Sequence, residues 1–192
     1  MSRTICVFCA SSRWTSQSFL TATDQWIEKL SAMGWGIVYG GGAIGLMGQV
    51  SRTARRLSAP LTAVIPRSFI AQGWLDPNVT NVVEVNTLSE RKQRMLDLSD
   101  VVLILPGGTG TFDELFFAIE SKKLAEHPKP IVIANFDGFF NPLIEQFDNM
   151  MSCKLINEKH RHIFYVANSV DELLSYISSY NETQYTLTDA EV

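Results

Sequence analysis

The sequence has few charges of either sign and few cysteines, and each shortage excludes a class of protein. Of its 192 residues, 19% are charged, and 16 Lys and Arg against 20 Asp and Glu leave a formal net charge of −4. Proteins that bind nucleic acid by neutralising phosphates are usually basic, so we expect no nucleic-acid partner. The apolar content of 46% is too high for a disordered chain.

Long apolar runs are missing as well. No stretch approaches the ~20 apolar residues of a membrane-spanning helix, and the first residues lack the longer apolar core of a secretory signal. We therefore expect a cytoplasmic protein with no membrane partner.

Cys6 and Cys9 have a Cys-x-x-Cys spacing, but in a strand they would point to opposite faces, which favours buried structural thiols over a redox pair.

What the sequence does have is a regular alternation of short apolar runs and helix-length segments. The runs are ICVFCA, WGIVYG, LTAVIP, NVVEVN, VVLILP, PIVIANF and IFYVAN. This order predicts an α/β fold, doubly wound and Rossmann-like, with a mostly parallel sheet covered on both faces. We predict a single domain over residues 1–180, a flexible tail over 181–192, and a loop over 67–78 that flanks the site.

The first glycine-rich turn, VYGGGAIGLMG, follows a predicted strand and precedes a predicted helix. Gly40, Gly42 and Gly45 satisfy GxGxxG, a pattern that lets the backbone approach a phosphate. A dinucleotide site would also need an acidic residue at the end of the next strand, where this chain has Ile65-Pro66-Arg67. A purely structural turn therefore remains an alternative.

The second turn, PGGTGTFDE, has the same strand-to-helix context. The glycines free the backbone, and the hydroxyls of Thr109 and Thr111 add donors for an oxyanion, which predicts a phosphorylated ligand. Glu114 could order a ribose hydroxyl or stabilise positive charge on the sugar, but Thr111-x-x-Glu114 also fits a capping box. Asp113 is predicted to point away from the cleft and to act as a favourable charge at the helix start.

An arginine lies on the apolar face of the predicted helix TLSERKQRMLDLS. Leu88, Met95 and Leu98 form one stripe, and helical spacing places Arg91 inside it, with Lys92 at its edge. A buried guanidinium needs an anion, and Glu114 across the crevice is a suitable partner. The alternative is a side chain that extends along the surface to solvent.

These motifs resemble those of the LOG ("lonely guy") family, cytokinin riboside 5′-monophosphate phosphoribohydrolases, which carry PGGxGTxxE and an upstream Arg-Lys motif. The resemblance covers most of the chain, since ICVFCASS, VYGGGAIGLMG, VIPRS and NFDGFFNPL occur in the family's order. It implies a Rossmann-like enzyme without metal or cofactor. Its predicted activity is hydrolysis of the N-glycosidic bond of AMP or N6-prenyl-AMP, by a homodimer with sites near the subunit interface.

The resemblance also implies roles for individual residues. Arg91 and Glu114 match the family's catalytic pair. The predicted substrate-binding residues are Lys92, Gly107, Gly108, Thr109, Gly110, Thr111, Gly41, Gly42 and Ser11. Family members have often been labelled lysine decarboxylases, but nothing here resembles the Schiff-base lysine site of a pyridoxal enzyme.

Two departures from the family concern the base rather than the chemistry. Many members have Met-His before the Arg-Lys motif and Thr-Trp after the glutamate, where this chain has Leu88-Ser89 and Glu120-Ser121.

A second functional hypothesis is a non-catalytic carrier of a nucleotide or of molybdenum cofactor on the same fold. A metal site at His160-x-His162 is disfavoured because the sequence offers no further ligands nearby.

Overall fold

The computed structural model describes residues 3–181, which form one seven-stranded parallel sheet. The strands run in the order β4-β3-β2-β1-β5-β6-β7. Their bounds are β1 Thr4–Phe8, β2 Gly36–Tyr39, β3 Leu61–Pro66, β4 Asn81–Val85, β5 Val101–Ile104, β6 Ile131–Ala134 and β7 Tyr165–Ala167. Six strands lie within their apolar runs and β1 begins one residue before its run, at Thr4, so the predicted α/β sheet is confirmed.

Helices connect the strands in chain order. They are α1 Gln17–Ala32, α2 Gly45–Arg56, α3 Arg67–Ala71, α4 Leu88–Asp97, α5 Thr109–Lys123, α6 Asn141–Ser152 and α7 Val170–Ser179, with short 3₁₀ turns at Phe136–Gly138 and Glu158–His162. Among residues 3–181, no helix combines the length and the apolar character required to cross a membrane.

The sheet separates two apolar layers, as a doubly wound fold requires. One layer packs α1, α2 and α7 against the sheet, and the other packs α4, α5 and α6 against its opposite face. Within β1 and the residue after it, alternate side chains enter alternate layers. Cys9 therefore lies in the first layer and Cys6 in the second, and both are free buried thiols, as predicted.

The segment 67–78 differs in part from its predicted loop. Residues 67–71 form α3, because Pro66 supplies the extended conformation and fixed φ suited to the position before a first helical turn. The rest of the segment is irregular. The predicted flexible tail lies outside the described residues, apart from Asn181.

Two helices, α4 and α7, begin with a capping box. Thr87 accepts a hydrogen bond from the amide of Glu90 at 3.1 Å, and Ser169 accepts one from Glu172 at 3.2 Å. In both cases the glutamate accepts from the amide one residue before the cap, from Asn86 and from Asn168, each at 2.8 Å. These caps fix where α4 and α7 begin.

Candidate active site

A cavity opens where the connections that follow β1 and β5 diverge to opposite faces of the sheet. Chain order reverses at this point, which is where open α/β sheets place their ligands. The cavity has a volume of about 380 Å³. Its lining is Cys9, Ala10, Ser11, Ser12, Met47, Phe69, Leu88, Arg91, Lys92, Gly108, Thr109, Gly110, Thr111, Asp113 and Glu114.

The second glycine turn leads into α5 at the edge of this cavity. The helix begins at Thr109, and its cap residue Gly108 provides no side-chain hydrogen bond, so the first-turn amides are open to a ligand. Thr109, Gly110 and Thr111 all line the cavity. A helix N-terminus with free amides favours an anion such as a phosphate.

Arg91 and Glu114 form a buried ion pair in the cavity wall. The Arg91 Nη2 atom donates to Glu114 Oε1 at 2.5 Å, and each side chain is only 8% exposed. The guanidinium therefore does not extend along the surface to solvent. Glu114 is occupied by the arginine, and α5 begins two residues before Thr111, so the capping-box alternative for Glu114 is wrong.

Burial governs the ionisation of Glu114. Loss of solvent around the carboxyl raises its pKa to about 7, and the nearby Arg91 cation only partly opposes this effect. The group therefore changes charge close to neutral pH. Carboxyls with a strongly raised pKa inside a cleft are typical of functional sites.

A second ion pair contradicts the prediction for Asp113. Lys92 Nζ donates to both carboxylate oxygens of Asp113 at 2.8 Å, and both residues line the cavity. The prediction placed Asp113 away from the cleft because neighbouring helical side chains diverge by about 100°. That divergence still leaves Glu114 in the wall and Asp113 at the rim, where Lys92 reaches it.

The first glycine turn packs against two cavity-lining residues, Arg91 and Ser12. A Cβ atom at Gly40 would lie 2.7 Å from Nη2 of Arg91, and one at Gly45 would lie 2.7 Å from the backbone of Ser12. The absence of a side chain at Gly40 and Gly45 thus makes room for the arginine and for the loop after β1. This packing favours the structural alternative for these two glycines.

Three predicted binding residues lie outside the lining. Gly41 packs against Ile65, and Gly42 packs against Met47. Gly107 lies directly behind Thr111, where an added Cβ would come 2.0 Å from the hydroxyl oxygen. Ser11, Lys92, Arg91, Glu114 and the residues 108–111 do line the cavity. Substrate binding by any of these residues stays a prediction.

Sequence reasoning missed Met47 and Phe69 in the apolar lining, whereas it had already assigned Leu88 to the base side of the site. Met47, Leu88 and Phe69 lie on α2, α4 and α3, and a signal for Phe69 was its position just beyond the carboxyl end of β3. Of the positions that depart from the family, Leu88 lines the cavity. Glu120 and Ser121 lie on α5 nearly two turns beyond Glu114, outside the lining.

Metal ligands do not assemble near the cavity. Within residues 3–181, no group of three or more His, Cys, Asp and Glu side chains is arranged to hold a metal ion. His160 is buried, and its Nδ1 atom lies 3.0 Å from the carbonyl oxygen of Asn157. Its neighbour His162 is exposed on the same short turn.

Comparison with known proteins matches this chain to one family. A family model described as "Possible lysine decarboxylase" matches residues 47–177. A probable cytokinin riboside 5′-monophosphate phosphoribohydrolase of Oryza sativa subsp. japonica is 35% identical over 93% of this chain and 72% of its own length. A cytokinin riboside 5′-monophosphate phosphoribohydrolase of Arabidopsis thaliana is 34% identical over 92% of this chain and 77% of its own length.

Solved structures support the fold. The molybdenum cofactor binding protein of Rippkaea orientalis superposes with a TM-score of 0.71, covering 93% of this chain and 97% of that one, at 18% identity. The molybdenum cofactor carrier protein of Chlamydomonas reinhardtii gives the same TM-score, coverage and identity. At this identity the likeness shows a shared fold and carries no argument about function.

Proposed function

The chain belongs to the family described as possible lysine decarboxylases, specifically to its LOG-type phosphoribohydrolases, and from this we propose the reaction that it catalyses. The enzyme hydrolyses the N-glycosidic bond of an adenosine 5′-monophosphate with or without an N6 substituent, which yields the free base and ribose 5-phosphate. The observation that carries the proposal is the buried Arg91–Glu114 pair beside the open N-terminus of α5.

The turn before α5 provides the phosphate site. The free amides at the start of α5 and the hydroxyls of Thr109 and Thr111 are donors suited to a phosphate. Lys92 adds a positive charge on the same rim. With its phosphate held here, a mononucleotide extends its sugar toward Glu114, the next cavity-lining residue along the helix after Asp113.

The ion pair then acts on the sugar carbon. As the bond from C1′ to the base nitrogen breaks, its electron pair leaves with the base and positive charge develops at C1′ and the ring oxygen. The ionised carboxylate of Glu114 stabilises this charge, as carboxylates do in glycoside hydrolysis. Water adds its oxygen to C1′ and releases one proton, and the departing base takes up one proton.

Arg91 positions the carboxylate. Its guanidinium is buried on α4 and contacts Glu114 directly, so it holds the carboxylate in one orientation. A residue held in place before the substrate arrives needs no reorganisation during the reaction. We assign Arg91 this positioning role, together with Coulombic support of the ionised form of Glu114.

Product analysis tests the proposal. The purified protein is incubated with AMP and with N6-isopentenyl-AMP, and the free bases are separated by chromatography. The expected result is release of adenine or isopentenyladenine together with ribose 5-phosphate. If both nucleotides bind but stay intact, the chain is a nucleotide carrier and not a hydrolase.

Two further features belong to the proposal. The enzyme works as a homodimer with its sites near the subunit interface, an expectation that follows from the family resemblance. It acts in the cytoplasm, in keeping with three cysteines that are all free thiols, as is usual in reducing compartments.

A further inference from the structure

Two aromatic rings lie together at the rim of the cavity, and the proposed chemistry does not use them. Phe69 on α3 lines the cavity, and its ring centroid lies 4.6 Å from that of Trp74. Trp74 is 53% exposed, and α3 contains no buried residue. The pair is therefore not part of either core layer.

The segment that presents these rings is firmly held. The buried carboxylate of Asp76 accepts a hydrogen bond from the Ser51 hydroxyl at 2.5 Å, and its backbone amide donates to the carbonyl of Gly41 at 2.8 Å. The amide of Trp74 donates to the carbonyl of Phe69 at 3.0 Å. Trp74 is thus exposed, and Phe69 half-buried, on a fixed support.

The cavity lining has a polar part and an apolar part, just as a nucleotide has a polar phosphate and sugar and a flat, less polar base. Its charged and hydroxyl side chains account for the phosphate and the sugar. The uncharged part, with Met47, Leu88 and the ring of Phe69, has no partner in that assignment. Aromatic rings are the usual partners of nucleobases because every base has a π-face available for stacking.

We propose that Phe69 and Trp74 form the platform on which the purine base of the nucleotide stacks, and that they set the enzyme's preference for the base. This inference rests on the proposed function and deepens it. Phe69 contacts the base inside the cavity. Trp74 extends the platform beyond the lining, where it meets the outer edge of the base and any apolar N6 substituent.

Steady-state kinetics tests the platform. Phe69→Ala is expected to raise KM for AMP by about tenfold and to leave kcat within about threefold, because stacking is present equally before and during bond cleavage. Trp74→Ala is expected to raise KM for N6-isopentenyl-AMP more than KM for AMP. The matched control is Phe116→Ala, an aromatic residue of α5 that is 40% exposed outside the lining, and it should change neither constant.

Inhibition by ribose 5-phosphate separates a base platform from a structural role. This product has the phosphate and the sugar but no base, so its inhibition constant should be unchanged in Phe69→Ala and Trp74→Ala. If Phe69→Ala weakens ribose 5-phosphate and AMP by the same factor, the rings support the loop and the proposal is wrong. An unchanged KM for AMP in Phe69→Ala would also overturn it.

Tryptophan fluorescence tests the same platform without turnover. Trp26 and Trp35 are buried and Trp14 is 88% exposed, so in a Trp14→Phe background Trp74 is the exposed reporter among the tryptophans. AMP should quench its emission, and ribose 5-phosphate should not. If the wild-type protein shows this selective quenching but releases no base, the platform proposal stands and the proposed hydrolase function is wrong.

Two fluorescence outcomes would overturn the proposal. One is equal quenching by AMP and by ribose 5-phosphate, which would mean that Trp74 senses the phosphate end. The other is an emission that changes with protein concentration and not with AMP, which would mean that a second copy of the chain covers the rings.

Discussion

At the residue scale, the carboxyl of Glu114 is the group on which catalysis should depend most. Glu114→Gln keeps the size of the side chain and removes the charge that would face C1′. We expect base release to be abolished while nucleotide affinity stays within about tenfold, because the phosphate contacts are elsewhere. Chromatography of the products and equilibrium binding of AMP measure the two effects.

A nearby glutamate provides the control for that substitution. Glu120 lies on the same helix, is exposed, and pairs with Lys123 at 3.3 Å outside the cavity lining. Glu120→Gln should be fully active. A fully active Glu114→Gln would show that the buried ion pair serves packing alone.

The ionisation of Glu114 also predicts a pH dependence. Burial raises the pKa of the carboxyl to about 7, so the protonated form persists to near neutrality and the working carboxylate is lost as the pH falls. We expect kcat/KM for AMP to level off above pH 7 and to fall below it, approaching about tenfold per pH unit. Rate measurements between about pH 5.5 and 8.5 give the profile.

The substrate phosphate needs its own control, because its second pKa is about 6. Inhibition by ribose 5-phosphate over the same pH range isolates the phosphate effect. If kcat/KM for AMP and inhibition by ribose 5-phosphate change with pH in the same way throughout, the phosphate and not Glu114 causes the pH dependence.

At the scale of single elements, the start of α4 fixes the helix that presents Arg91 and Lys92. Thr87→Ala removes the side-chain cap and should lower the free energy of unfolding by about 1 kcal/mol. It should also lower kcat/KM, since the first turn of α4 leads directly to the site. Urea denaturation and steady-state kinetics measure the two effects.

Ser169→Ala is the matched variant, because α7 has the same cap geometry and carries no site residue. It should lose a similar free energy of unfolding and keep full activity. Equal losses of activity in both variants would mean that general stability, and not the placement of α4, limits the rate.

The second glycine turn contains two positions with opposite demands. A Cβ at Gly107 would come within 2.5 Å of both Oγ1 and Cβ of Thr111, whereas one at Gly110 would meet no atom within 4 Å. Gly107→Ala should therefore cost about 1–3 kcal/mol of stability through overpacking. Gly110→Ala should fold normally and raise KM, because its methyl enters the space proposed for the phosphate.

Thermal unfolding and KM for AMP test this pair of variants together. The expected pattern is a lowered Tm for Gly107→Ala and a raised KM with an unchanged Tm for Gly110→Ala. A Gly110→Ala protein with wild-type KM would place the phosphate away from the first turn of α5.

At the scale of the whole molecule, the proposed dimer is open to direct measurement. Light scattering at micromolar concentration should give a mass near twice the 21.5 kDa of one chain. A family with sites near the subunit interface implies that dissociation lowers activity, so specific activity should fall on dilution. A monomer that keeps full specific activity would contradict this arrangement.

The architecture was predictable because strand and helix signals are local. A sheet covered on both faces needs strands that are apolar throughout, and such runs are visible one by one along the chain. The buried Arg91 was equally visible, since helical spacing alone places it on the apolar face of α4. Its partner was predicted because a buried guanidinium requires an anion.

The misplaced details depend on contacts between distant segments. Asp113 lies in the cavity rim because Lys92, 21 residues earlier, reaches it across two elements. The pattern at Gly40 fitted both an approach to a phosphate and a purely structural turn, and in the structure Gly40 makes room for a side chain contributed by α4. A local pattern shows that a glycine lacks a side chain at a position. It does not show which atom from elsewhere in the chain fills the space that a side chain would take.

The bare backbone at Gly40 has a consequence for how the site meets its ligand. With Gly40 and Met47 on one side and Glu114 on the other, the guanidinium of Arg91 has little freedom to rotate even in the empty protein. Its conformational entropy is therefore lost when the chain folds and not when the ligand binds. Ligand association should then leave this arginine in the same rotamer, and any slow step in binding must arise elsewhere.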